Sequence, residues 1–330
     1  MGCVYFGEQK SGETHGCLLH EQCALIGQST EMPVCESCND RLPLDDPNFV
    51  GKWRDPLVVL DRTRARTHAK RNLLAGGAAF LMGGGPSAND LPLELLARRG
   101  IWTMAVNNSA GHPRVRPQAM VCSDPPAKFS HSIWFDPGIA KFIPSPKMSG
   151  GRAKIRRRVP DGSFVLMDEV LTDCPNVWGF KRWSWLEPSD RFFLTDGACW
   201  GNHDQGCRET GQPKTVCTML LGLRLLRYLG ARKVFLVGVD FRMSPDRGYS
   251  FEQSRSQGES DSNNAQFRVV NDWLVKMEQD GVFRRFGMEI FNCFERSGLR
   301  AFPYVPFEQA VEEAAGIVEE RPSLSGWYTK

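Results

Sequence analysis

The sequence contains no uninterrupted apolar run of about 18 residues, the length a bilayer-spanning helix requires, so no membrane span is expected. Its first ten residues, MGCVYFGEQK, lack the basic-then-apolar pattern of a secretory signal. Phe6 stands where a myristoylation signal after Gly2 wants Ser or Thr. A cytoplasmic location is therefore expected. Charge of one sign is also lacking, because 41 Lys and Arg against 38 Asp and Glu leave a net +3, too little to argue for nucleic acid. Two basic runs stand out locally, RTRARTHAKR (62 to 71) and RAKIRRR (152 to 158). Each reads either as solvated surface or as a positive rim that draws in an anionic ligand. No GxGxxG and no Walker A motif is present.

Cysteine is plentiful: there are 11, and five of them, Cys3, Cys17, Cys23, Cys35 and Cys38, fall in the first 38 residues. Such clustering argues for a metal rather than for disulfides spread through a secreted fold. The spacing from Cys17 is C-x2-H-x2-C-x11-C-x2-C. Two ligand pairs joined by a short connection can close a tetrahedral zinc site. Cys17, Cys23, Cys35 and Cys38 are the expected ligands, with His20 or Cys3 as alternatives for one of them. So short a stretch has few large apolar residues, and structural zinc would supply its folding energy. Residues 1–40 are thus read as a zinc-binding module and 41–76 as a connector with one short strand, LVVL (57 to 60). The remaining cysteines lie scattered and read as small buried hydrophobes.

From residue 77 to 330 the chain alternates apolar runs with helical patterns. AAFLM (78 to 82), IWTMAV (101 to 106), AMVC (119 to 122), KVFLVGVDF (233 to 241) and MEIFNCF (288 to 294) read as strands. PLELLARRG (92 to 100), TVCTMLLGLRLLRYLG (215 to 230), a segment of about 264 to 285 and EQAVEEAAGIVEE (308 to 320) read as helices, around a loop-rich middle. The fold class expected is α/β: a doubly wound, mostly parallel Rossmann-like sheet with helices on both faces. Ligands of such sheets sit outside the carboxyl ends of the strands. Here those ends carry Gly83, Gly84, Gly85, Pro86 and Ser87, then Asn107, Asp124 and Asp240. A glycine turn opening a helix lets backbone N–H groups meet a phosphate, and its place at a strand end favours that over a plain tight turn. On the phosphate reading, Gly85→Val would abolish nucleotide binding and spare the fold. Asp240 reads either as a ribose or metal contact or as the cap of a turn.

The turn in LMGGGPS, the AVNN and SDPP after the next strands, and LGARKVFLVGVDF followed by Tyr249-Ser250-Phe251 resemble the Rossmann-like bacterial sialyltransferases of the Campylobacter type. They also resemble the related family that includes the archaeal 6-hydroxymethylpterin diphosphokinase. The resemblance spans residues 77 to about 310 and leaves out the cysteine module. It implies a transferase that takes a nucleotide-sugar donor, with Gly83 to Ser87, Asn107 and Asp124 holding the donor and Thr218 at the start of the buried helix. Tyr249 matches a phosphate-binding tyrosine, and Arg242 stands at its partner position. Asp124 replaces an amide and Gly84 an asparagine. The family's basic histidine is missing from QSRSQGESDSNNAQF (253 to 267), which reads as a loop; Asp261 is the substitute carboxylate, with Glu259 beside it, while His203 would have to arrive from elsewhere. The diphosphokinase reading would instead have Asp124 and Asp240 hold Mg²⁺ for transfer from ATP. A third reading is a binding protein for nucleotides or nucleic acid that has lost its chemistry, docking through the zinc module and basic runs.

Overall fold

The computed structural model describes residues 58–59, 68–69, 73–144 apart from 75 and 130, 153–180, 217–251 apart from 245 and 247, 256–317 and 328–329. Cys3, Cys17, His20, Cys23, Cys35, Cys38, Cys199, Cys207 and His203 lie outside the described residues. In chain order the strands are β1 (Val58–Val59), β2 (His68–Ala69), β3 (Ala78–Met82), β4 (Thr103–Val106), β5 (Ala119–Val121), β6 (Ala140–Pro144), β7 (Lys154–Arg158), β8 (Phe164–Val170), β9 (Val177–Phe180), β10 (Lys233–Val237), β11 (Glu289–Asn292) and β12 (Tyr328–Thr329). The α-helices are α1 (His131–Phe135), α2 (Thr218–Tyr228), α3 (Gln257–Gln279), α4 (Val282–Arg285) and α5 (Phe307–Ile317). Among the described residues no helix is long and apolar enough to cross a membrane.

Successive residues of a strand face opposite ways, and β3 is apolar at every position because both of its faces are covered. Ala79 and Leu81 join a cluster with Leu221, Leu225, Val270 and Leu274 of α2 and α3. Phe80 and Met82 join another with Phe235, Phe307 and Val311 on the far face. The doubly wound arrangement follows. The main sheet runs in the order β11-β10-β3-β4-β5-β6-β9-β1-β2-β12. From β11 to β9 every neighbouring pair is parallel. The last three strands are added antiparallel, so β1 and β2, from the stretch read as connector, extend the sheet itself.

The sequence order reverses between β3 and β10. One run of the chain winds outward from β3 through β4, β5 and β6, and the other from β10 to β11. A crevice forms where such halves part, at the carboxyl ends of the central strands. Helix α2 is buried along its whole length, including Arg224 and Arg227, which the pattern gave as its polar edge. Gly222 lets it close on β3, since a Cβ there would lie 2.7 Å from Leu81 Cδ1.

Four elements differ from the sequence reading. PLELLARRG is not an α-helix: Pro86–Asp90 and Leu93–Ala97 form two short 3-10 turns, each opened by a proline at its start or N-cap. The segment read as a loop over 253–267 is helical from Gln257. Ser256 caps that helix, its Oγ accepting from Glu259 N–H at 3.3 Å while Glu259 Oε2 accepts from Ser256 N–H at 2.9 Å. The helix expected to reach 285 breaks at Gly281, which takes φ 69° between α3 and α4. Finally, the loop-rich middle holds β6, β9 and a separate antiparallel hairpin of β7 and β8. Its strands escaped notice because arginines occupy one and charges interrupt the other.

Candidate functional site

The glycine turn after β3 is held to the end of β10 by backbone hydrogen bonds. Gly83 N–H donates to Val237 O and Gly85 N–H to Gly238 O, both at 2.7 Å. A Cβ on Gly83 would lie 2.5 Å from Gly238 O, and one on Gly85 would lie 2.4 Å from Asp240 Oδ1. Gly84 faces a different neighbour, with Phe251 and Tyr249 ring atoms at 2.9 and 3.0 Å from its Cβ position. Those two rings stack at 5.0 Å between centroids, only 5° from parallel. Three glycines are needed because the protein's own chain approaches this turn on every side.

Asp240 completes that closure. It is buried, and its carboxylate accepts from Ser87 N–H at 3.0 Å and from the Ser87 hydroxyl. It therefore caps the 3-10 turn Pro86–Asp90, which corrects the picture of an open phosphate cradle there. Gly83, Gly85 and Ser87 amides all donate inside the protein, and Gly84 N–H has no acceptor among the described residues. The expectation that Gly85→Val would spare the fold is corrected for the same reason, since the added carbon meets Asp240 and Gly238.

Asn107 sits at the end of β4 with φ 55°, a left-handed conformation that asparagine tolerates better than most residues. Its Oδ1 is buried and has no hydrogen-bond partner among the described residues. Its neighbours are held on both sides: Ser109 Oγ bonds Met82 O at 2.8 Å, at the end of β3, and Asn108 Nδ2 donates to Lys128 O at 3.4 Å, beyond β5. A strained residue with an unfilled acceptor thus stands in the middle of the carboxyl edge.

At the end of β5, Ser123 Oγ and Thr218 Oγ1 lie 3.0 Å apart, which joins that strand end to the start of α2. The N-cap of α2 is Cys217, with no side-chain cap, so the first-turn amides have no side-chain acceptor from that position. Asp124 is partly exposed and pairs with Lys128 Nζ at 3.1 Å. Arg156 of β7 reaches across to the Lys128 carbonyl at 2.6 Å, bringing the basic strand of the hairpin to this rim. Arg242 is exposed just past β10. Asp261 is exposed on α3, where its carboxylate accepts from Gln257 Nε2 at 2.8 Å.

The expected residues fall into three groups. Gly83 to Ser87, Asp240 and Tyr249 meet directly, Asn107 is tied to the end of β3 through Ser109, and Asp124 and Thr218 gather around Ser123. Arg242 and Asp261 stand apart: among the described residues no hydrogen bond or ion pair joins either to these groups, and the Asp261 side chain bonds only Gln257. Sequence reasoning passed over Ser123 and Phe251, although both lie inside the quoted motifs. A separate cavity of about 300 Å³ lies at the amino edge, under Leu96, Arg114, Arg116 and Gln118. Its two guanidinium groups are engaged by Glu94 and Asp136, so the strand ends carry the chemistry better.

Two buried thiols, Cys122 and Cys293, and the half-buried Cys217 are held protonated by their surroundings. Burial raises Cys122 well above its ordinary value, Cys217 to about 11 and Cys293 to about 12. Among the described residues no group of three or more His, Cys, Asp or Glu is arranged to hold a metal.

No protein-family model matches the chain, and no curated protein matches it. Among solved structures it is similar to a sialyltransferase from Campylobacter jejuni in complex with a substrate analogue, cytidine-5'-monophosphate. The two are 10% identical over 77% of this chain and 93% of that one, with a TM-score of 0.39.

Proposed function

We propose that the carboxyl edge of the sheet binds a nucleotide-sugar donor and that the protein is a glycosyltransferase. The observation that carries this reading is Asn107, strained and with a buried acceptor that nothing in the described residues fills. An orphaned acceptor costs about 1–3 kcal/mol unless a partner arrives, and a ribose or sugar hydroxyl would supply it. The sequence resemblance at AVNN, SDPP and GVDF agrees. Thr218 and Ser123 line the donor's other side, Asp124 reads a hydroxyl, and Gly84 N–H, Tyr249 and Arg242 support the leaving phosphate.

In the reaction the acceptor's hydroxyl oxygen bonds to the anomeric carbon of the sugar. The bond from that carbon to the phosphate oxygen breaks, and the nucleotide leaves with the electron pair. The hydroxyl proton passes to a base, for which Asp261 is the carboxylate proposed. Fixed donors at the departing phosphate would contribute most of the rate. The four cysteines Cys17, Cys23, Cys35 and Cys38 are proposed to hold a structural zinc in an amino-terminal module, which metal analysis of the purified chain reads directly.

The magnesium-dependent alternative is disfavoured by two contacts. Asp240 is occupied by Ser87, and Asp124 by Lys128. Thermal shifts with cytidine monophosphate, UDP and ATP, each with and without Mg²⁺, test the choice, because a ligand of the native state alone raises its stability. Cytidine monophosphate is expected to stabilise without metal. Asp124→Asn should keep that affinity within about tenfold, ~1.4 kcal/mol, because the amide retains an acceptor oxygen. Magnesium-dependent ATP binding lost in Asp124→Asn would install the diphosphokinase-like reading instead. Binding of cytidine monophosphate with no release of it from its sugar conjugate would leave a binding protein.

A further inference from the structure

The bend after β10 is gripped by one face of α3. Asn264 pairs with the backbone of Met243 as a strand would: its Oδ1 accepts from Met243 N–H and its Nδ2 donates to Met243 O, both at 2.8 Å. Asn263 Nδ2 lies 3.3 Å from Met243 Sδ. One helical turn on, the Phe267 ring stacks on Phe241 at 4.9 Å and 23°. Residues 263, 264 and 267 share a helix face, and all three touch the same short stretch of chain.

That stretch is strained. Phe241 takes φ 50°, unusual for a bulky residue. Its carbonyl is crowded as well: a Cβ on Gly298 would lie 2.7 Å from Phe241 O. On the inner side Gly298 N–H donates to Asp240 O at 2.7 Å, and Ser297 Oγ donates to Val239 O at 2.7 Å. A left-handed aromatic residue persists only where its surroundings overdetermine it, and here they do. Between the two clamped residues, Phe241 and Met243, stands Arg242, exposed and at the carboxyl edge.

We infer that Asn264 is a positioning residue for Arg242: α3 fixes the backbone on both sides of the arginine so that its guanidinium is held toward the ligand's phosphate before binding. This rests on the reading of the strand ends as a nucleotide site. Without the Asn264 clamp the backbone after Arg242 is freed at Met243, and Arg242 must be ordered at the moment of binding, which weakens affinity.

The test uses the full chain, cytidine monophosphate as probe, and the variants Asn264→Ala, Arg242→Ala and their combination. Hydrogen exchange at the Met243 amide reads the clamp without any ligand. Asn264→Ala is expected to speed that exchange and to weaken cytidine monophosphate binding about as much as Arg242→Ala, roughly tenfold for a charge-assisted contact. In the Arg242→Ala background Asn264→Ala should weaken binding no further. Asn264→Asp keeps the acceptor for Met243 N–H and should recover part of the affinity. Unchanged exchange in Asn264→Ala would overturn the clamp. An equal loss of affinity with and without Arg242 would show that Asn264 acts through something else. Absence of binding by the unaltered protein, or full affinity in Arg242→Ala, overturns the site reading and with it the purpose of the clamp, a result distinct from the exchange measurement.

Discussion

Gly85 presents the sharpest consequence of a single atom. Its missing Cβ would stand 2.4 Å from Asp240 Oδ1 and 2.7 Å from Gly238 O. The carbonyl is backbone and the carboxylate is held by Ser87, so neither neighbour can move cheaply. Gly85→Ala should therefore destabilise the fold by about 1–3 kcal/mol, read as a lower denaturant midpoint at unchanged slope. Gly84→Ala meets first the Phe251 and Tyr249 rings, side chains rather than backbone, and should cost less. A cost at position 84 equal to that at 85 would contradict this account. None of it was legible in LMGGGPS, because Ser87 and its partner Asp240 are 153 positions apart. Asn107 was legible as a polar residue at a strand end, but not its left-handed φ, because the pair Asn107-Asn108 does not show which of the two turns the chain.

Among the elements, the parallel strands were the readable part. AAFLM is apolar at every position, and KVFLV at every position after Lys233, because helices cover both faces. The hairpin is the opposite case. β7 is Lys-Ile-Arg-Arg-Arg, with Ile155 fully buried while Arg157 and Arg158 run outward, and β8 leaves Phe164, Val165 and Leu166 exposed. Half-buried strands outside the main sheet lack the apolar density that signals them. The start of α3 was hidden likewise, since Gln257 to Asn264 contains no large apolar residue and its helicity rests on the Ser256 cap and on packing further along. Ser256→Ala should then cost about 1 kcal/mol and loosen the first turn of α3, visible as faster amide exchange there. Undiminished protection in that turn would mean the cap is dispensable.

At the scale of the molecule, pH acts through buried groups. His112 is buried, its Nδ1 accepting from Arg114 N–H at 3.2 Å and its Nε2 facing Asn89 Oδ1 at 3.5 Å. Burial, and then the Arg114 charge, lower its pKa from the ordinary value. The folded protein thus favours the neutral ring, so its contribution is complete above the unfolded pKa of about 6.5 and is lost as pH falls below it. His112→Gln should flatten the fall in thermal midpoint as pH drops below about 6.5. An unchanged slope would assign that dependence elsewhere.

The pairing of β3 with β10 also has a history in time. β3 takes β4 on one side, but its other edge must stay open until a strand some 150 positions later has been made. At about 5–20 residues per second of synthesis, that wait is on the order of 8–30 s. During it, five consecutive apolar residues present an unpaired edge to whatever is near. The nascent chain is therefore most exposed to mispairing at the strand that later becomes its centre, and a chaperone's grip on this protein would be needed longest there.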